Sequence, residues 1–71
     1  MKNNKYEINI SNQNVHIKYY KEINEISNKQ IVITTYHIKL KINGENLIIN
    51  KLDEYEISII GKPLNIELIY E

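Results

Sequence analysis

The sequence predicts an all-β fold: a small antiparallel β-meander, rolled up or packed as a sandwich, with seven to eight short strands in a single domain over residues 1–71. Three observations lead there. Apolar and polar residues alternate with period two along nearly the whole chain, the spacing of strands with one buried face. The apolar residues are mostly β-branched, with 16 Ile and 2 Val beside 5 Leu and no Ala or Phe, and such side chains suit a pleated surface better than a helix. One pattern, Ile-X-(Asn or Gly)-X-X-aliphatic-X-Ile, begins at Ile10, Ile26, Ile42 and Ile59, at spacings of 16, 16 and 17 residues. A fixed period marks one structural unit, here strand–turn–strand, used repeatedly.

Taken in order, Tyr6, Ile8 and Ile10 lie on one side of the first strand, with Glu7 and Asn9 opposite. After a turn at Asn12, Val15, Ile17 and Tyr19 face inward while His16 and Lys18 face outward. The stretch from Lys21 to Ile26 breaks step, because Ile23 and Ile26 cannot share a face of a regular strand, and a β-bulge is the simplest account. A second turn at Asn28 leads to inward Ile31 and Ile33, then Ile38, Leu40 and Ile42. A third turn at Gly44 precedes Leu47 and Ile49, followed by Tyr55, Ile57 and Ile59. A fourth at Gly61 precedes Leu64, Ile66, Leu68 and Tyr70. The turn position alternates only between Asn and Gly, the residues that best tolerate positive φ, so all four bends are expected to be left-handed. Pro63 has no amide donor and belongs at a strand start or an edge. A short β-solenoid of stacked coils satisfies the same pattern, but loops of four to five residues and an even strand number favour hairpins.

Composition narrows the function. Seventy-one residues are close to the size at which one core only just suffices, which points to a partner or to self-association for further burial. Without cysteine there is no disulfide framework, thiolate metal site or thiol nucleophile. The charged start, Met1-Lys2-Asn3-Asn4-Lys5, leads into an alternating strand and is no secretory signal, so the Asn9-Ile10-Ser11 sequon has no glycosylating context. No apolar run exceeds three residues, too short for a membrane-spanning helix. Net charge is zero, yet residues 1–41 carry +4 and residues 42–71 carry −4. That asymmetry suits head-to-tail association, or simply reflects how solvated faces were filled.

Few residues offer chemistry. His16 and His37 are the candidates for proton transfer near neutral pH, but both fall on outward positions and no motif ties either to a carboxylate. Their spacing is not that of a zinc site. Ser11, Ser27 and Ser58 lack the glycines of a nucleophile elbow. Asp53-Glu54-X-Glu56 lacks the oxygen spacing of a calcium loop and reads as a solvated turn. Gly44 and Gly61 are isolated and serve bends, not phosphate binding. No catalytic, cofactor or metal residue is assigned. A nucleic-acid-binding face could be built from Tyr19, Tyr20 and Tyr36 with Lys18, Lys21, Lys39 and Lys41, although the chain has no Arg and no net positive charge. More informative are apolar residues at nominally outer positions: Tyr20, Val32, Tyr36, Ile48, Leu52, Ile60 and Ile69. Tyr20, Tyr36, Leu52 and Ile69 stand 16, 16 and 17 apart. Either a two-layered sheet buries both faces, or this stripe is exposed and marks a protein contact.

The order of the turns, with the stretch Tyr20-Lys21-Glu22-Ile23-X-Glu25-Ile26-Ser27, resembles the YqfC/YabP sporulation family, and its YqfC branch more than its YabP branch. The likeness continues through Ile42-X-Gly44-X-X-Leu47-X-Ile49-X-X-Leu52 and Glu56-Ile57-X-Ile59-X-Gly61 to Glu67 and Ile69-Tyr70, covering about residues 6–70. Departures are a shorter N-terminal segment, Lys21-Glu22 where relatives carry Arg-Gly, and Asn12 where a Gly is usual. The resemblance implies a non-enzymatic protein of endospore-forming Firmicutes, made in the mother cell and engaged in spore envelope assembly. It implies a protein partner, either a sporulation membrane protein or a second copy, a cytoplasmic location that reaches the forespore membrane through such a partner, and no cofactor or small-molecule substrate.

Overall fold

The computed structural model describes residues 6–70, and these are all-β. Six strands follow one another: β1 (Glu7–Ser11), β2 (Asn14–Lys18), β3 (Tyr20–Ile26), β4 (Gln30–Thr35), β5 (Ile38–Leu52) and β6 (Glu56–Tyr70). They form one antiparallel sheet in the order β1-β2-β6-β5-β4-β3. The hairpin architecture therefore stands, and the solenoid alternative does not, since every pairing is antiparallel. The strand number is six rather than seven to eight, because the third and fourth repeats each lie inside one continuous strand of 15 residues.

That difference corrects the reading of the four bends. Asn12 and Asn28 occupy true turns, after β1 and after β3. Gly44 and Gly61 are not turns but bends within β5 and β6, where the register between these strands slips. Positive φ occurs at Gly61 (130°), Asn46 (55°) and Tyr19 (65°), and not at Asn12, Asn28 or Gly44. The four positions nevertheless meet in pairs. The amide of Gly44 donates to Lys29 O and that of Leu47 to Asn28 O, both at 2.9 Å, while the amide of Gly61 donates to Gln13 O at 3.3 Å. Each long strand thus bends where the tip of a short hairpin runs out. The expected bulge in β3 is present, with register slips between Tyr20 and Glu22 and between Ile23 and Glu25. Pro63 sits opposite Gly44 at the slip in β6, where its missing amide costs the ladder little.

The link from β2 to β3 shows that the sheet is folded over. These strands are second and last in the order, yet only Tyr19 joins them. In a flat sheet four strand spacings of about 4.8 Å would separate them, roughly 19 Å, which one residue cannot span. The bent strands β5 and β6 carry the chain between two layers instead. One layer holds β1, β2 and the first half of β6, and the other holds β3, β4 and the first half of β5. Tyr19 turns the corner with its left-handed φ, its amide donating to Tyr55 O at 2.6 Å.

Between the layers lies one core. Val15 and Ile17 from β2, Ile31 and Ile33 from β4, Leu40, Ile42 and Leu47 from β5, and Ile57 and Ile59 from β6 are buried together, with Ile8, Tyr20, Ile23, Ile49 and Ile66 packed against them. Ile38 is buried too. The alternation located Val15, Ile17, Ile31, Ile33, Ile38, Leu40, Ile42, Leu47, Ile57 and Ile59 correctly, but it set Tyr20 and Val32 on the outer face, whereas Tyr20 packs against the core and Val32 is buried. It failed at the ends: Ile10, Tyr19, Tyr55, Leu64, Leu68 and Tyr70 were expected inward and are exposed.

Candidate protein-interaction surface

The polar features of the surface are structural in their local geometry. On the outer side of β2, His16 Nε2 lies 2.9 Å from Glu56 Oε1, and Lys51 Nζ lies 3.4 Å from the same oxygen. Sequence reasoning left His16 without a carboxylate. Glu56 is 40 residues away and reaches it only because β2 pairs with β6, so no local signal could have shown it. The hydrogen bond from His16, with the charge of Lys51, holds the Glu56 carboxyl below its ordinary value of 4.5. In the turn before β6, Asp53 Oδ1 accepts the amides of Tyr55 and Glu56, both at 2.9 Å. Those two bonds hold its carboxyl below 3.8.

This arrangement has a measurable pH dependence. A carboxyl whose pKa is lower in the folded than in the unfolded chain stabilises the fold above its unfolded value, and that contribution is lost as pH falls through the folded value. Stability should decline as the pH is taken below about 4.5 and then below 3.8. Asp53→Asn removes one of the titrating groups, so its urea midpoint should lie under that of the wild type at neutral pH and converge with it in acid. Parallel profiles would contradict the assignment.

The remaining candidates take ordinary roles. Ser58 is buried and accepts Asn14 Nδ2 at 3.2 Å. Ser27 Oγ accepts the amides of Lys29 and Gln30 and closes the β3–β4 turn. His37 is exposed, its ring 6.4 Å from that of Tyr6. Among the described residues no three His, Cys, Asp or Glu side chains gather as metal ligands, and no helix is long and apolar enough to cross a membrane. The tyrosines and lysines do not all gather on one face, although Lys21 and Tyr36 come together. Tyr20 Oη donates to Asp53 O at 2.7 Å, Tyr36 lies under Lys21 Nζ at 5.6 Å, and Tyr19 packs edge-on against Tyr55. Lys39 and Lys41 stand on the outer side of β5, in the other layer from Lys18.

The expected outer stripe is also dispersed. Val32 is 6 % exposed and Tyr20 packs against the core, so neither belongs to an exposed face. Tyr36, Ile48, Leu52, Ile60 and Ile69 are exposed. Ile48 and Ile60 are cross-strand neighbours, but Ile69 pairs with Lys39 in the other layer, Tyr36 is in the β4–β5 turn, and Leu52 ends β5.

The continuous apolar feature lies elsewhere, on the open flank of the sandwich. β2 covers β6 only from Glu56 to Ile60, and among the described residues no strand flanks that side of β6 beyond Gly61. There Leu64, Leu68 and Tyr70 are 61 %, 42 % and 72 % exposed, although Leu40 and Ile38, the cross-strand partners of Leu68 and Tyr70, are wholly buried. Ile10 at the end of β1, 56 % exposed, adjoins them across a cleft of about 350 Å³ that Pro63, Leu64 and Ile66 also line. A second cleft, of about 650 Å³, lies at the bend of β6 and is lined by Gln13, Glu45, Asn46, Ile60 and Lys62 among others. The flank residues were read as core because they alternate as core residues do. What alternation cannot show is that the covering layer ends before the strand does.

Compared with known family models, curated proteins and solved structures, the chain matches none.

Proposed function

We propose that this protein is a non-enzymatic β interaction module that works by binding another protein. The observation carrying that reading is the open flank, where a well-built core continues into a solvent-facing apolar row along a strand edge. Exposed apolar rows and free edges are the features through which β modules recruit partners. The partner is a protein, a sporulation membrane protein or a second copy of the chain, and no cofactor or small-molecule substrate is required. The setting follows from the resemblance to the YqfC/YabP sporulation family: spore envelope assembly in the mother cell, with the protein cytoplasmic and held at the forespore membrane by its partner.

The test is genetic. The gene should be transcribed in the mother cell after sporulation begins, and its loss in an endospore-forming host should give envelope-defective spores that the wild-type gene restores. Equal transcription in growing cells, together with normal spores from the null strain, would overturn the reading.

A further inference from the structure

We propose that the free edge of β6 is a homodimer interface, in which residues 62–70 of two copies pair antiparallel about a two-fold axis through Ile66. The inference rests on the interaction-module reading and names its partner as a second copy. Three observations converge on it.

The first is the direction of the backbone groups. The amide of Gly44 donates to Lys29 O, which commits the even-numbered residues of this part of β5 to β4, because neighbours along an antiparallel strand bond to alternate sides. Lys39, Lys41 and Asn43 then bond to their β6 partners Ile69, Glu67 and Asn65. The amides and carbonyls of Ile66, Leu68 and Tyr70 are left pointing to the open side, and the side chains of Leu68 and Tyr70 belong to the apolar row.

The second is the length of the window. The amide of Gly61 is already bonded to Gln13 O, so the edge opens at residue 62, and β6 runs to Tyr70. The midpoint of that window is Ile66, and an antiparallel two-fold that uses all of it must pass through this residue. An isologous contact of this kind closes on itself and uses up the β6 edge of both copies.

The third is complementarity in that one register. Ile66 faces the partner's Ile66, on the other face Glu67 meets the partner's Asn65, and Leu64, the extra residue at the slip in β6, lies at the end of the pairing beside the partner's Leu68. A shift that places the axis at Glu67 sets two like charges directly opposite, which is unfavourable. In the matched register no like-charged pair is opposed, and the layers that hold β3, β4 and the second half of β6 in the two copies join as one continuous sheet.

Sedimentation equilibrium on the purified full chain tests this, with circular dichroism confirming the fold of each variant. The wild type should be a dimer, and Leu64→Lys, an exposed position in the single copy, should give a folded monomer. Charge swaps probe the register. Asn65→Lys faces the partner's Glu67 twice in the dimer and should tighten it several-fold, while Asn65→Glu should weaken it about ten-fold. A wild type that stays monomeric up to its solubility limit overturns the proposal, as does a dimer indifferent to Leu64→Lys. So does an affinity order other than Asn65→Lys above wild type above Asn65→Glu. A monomeric chain whose loss still damages the spore envelope would leave the broader function standing, whereas a dimer with no sporulation phenotype would remove only that function.

Discussion

Gly61→Ala should leave the chain largely unfolded, or close to it, at room temperature. At φ 130° Gly61 occupies backbone space that residues with a side chain rarely enter, and strain of that kind costs about 1–3 kcal/mol. The new methyl would also lie 2.5 Å from the carbonyl oxygen of Asn46. That atom is backbone on the facing strand, so relief requires β5 and β6 to separate at their bend, a further overpacking cost of about 1–3 kcal/mol. Against a total stability on the order of 4–10 kcal/mol for a chain of this length, the loss is severe. Gly44→Ala meets the carbonyl of Lys62 across the same bend, but without unfavourable φ, and should be damaging for steric reasons alone. Urea unfolding followed by circular dichroism measures both. A Gly61→Ala midpoint within experimental error of the wild type would mean that the bend is not where the two layers are joined.

Ile57→Ala should cost about 2–5 kcal/mol, the range for removing most of a wholly buried aliphatic side chain. Ile57 pairs with Ile17 on β2 and with Leu52 on β5, so the cavity opens where three strands meet and few neighbours can collapse into it. Ile48→Ala, on the outer side of the same layer, should change stability by no more than about 0.5 kcal/mol. The comparison is the useful measurement, because it separates burial from loss of β propensity. Equal shifts in the two urea midpoints would refute the assignment of inner and outer faces.

Much of the sandwich was legible because the alternation of Ile and Val with polar residues is a direct record of which side of a strand is covered. Val15, Ile17, Ile31, Ile33, Leu40, Ile42, Ile57 and Ile59 were all placed inward from sequence, and all are buried. The break at Ile23 to Ile26 was legible for the same reason, since a bulge interrupts the alternation itself. The long strands were misread because Gly and Asn serve close approaches as well as turns. Gly44 carries no unusual φ; it is there because Lys62 O leaves no room for a Cβ. None of the real turns contains glycine, and two of the hairpin turns lack Asn as well. In one, Thr35 Oγ1 accepts the amides of His37 and Ile38 at 3.1 and 3.0 Å, and in the other Asp53 does the same for Tyr55 and Glu56. Side-chain oxygens that accept amides two and three residues ahead are a recognisable turn signal, and the Asp53 turn was the one read correctly. The apolar flank was the least legible part. Leu64 and Leu68 alternate no differently from Leu40 and Ile42, and only the order of the strands reveals that β2 stops short of them.

The single-residue crossover at Tyr19 also governs how the chain can be assembled. The hairpin of β1 and β2 leaves the ribosome before the surface that receives it, Glu56 to Ile60, has been made. Until then Val15 and Ile17 have no strand from the far end of the chain to cover them. Such late, distant pairing slows folding and prolongs exposure of sticky intermediates. Synthesis order therefore makes the N-terminal hairpin the part of this protein most in need of shelter while the polypeptide is still growing.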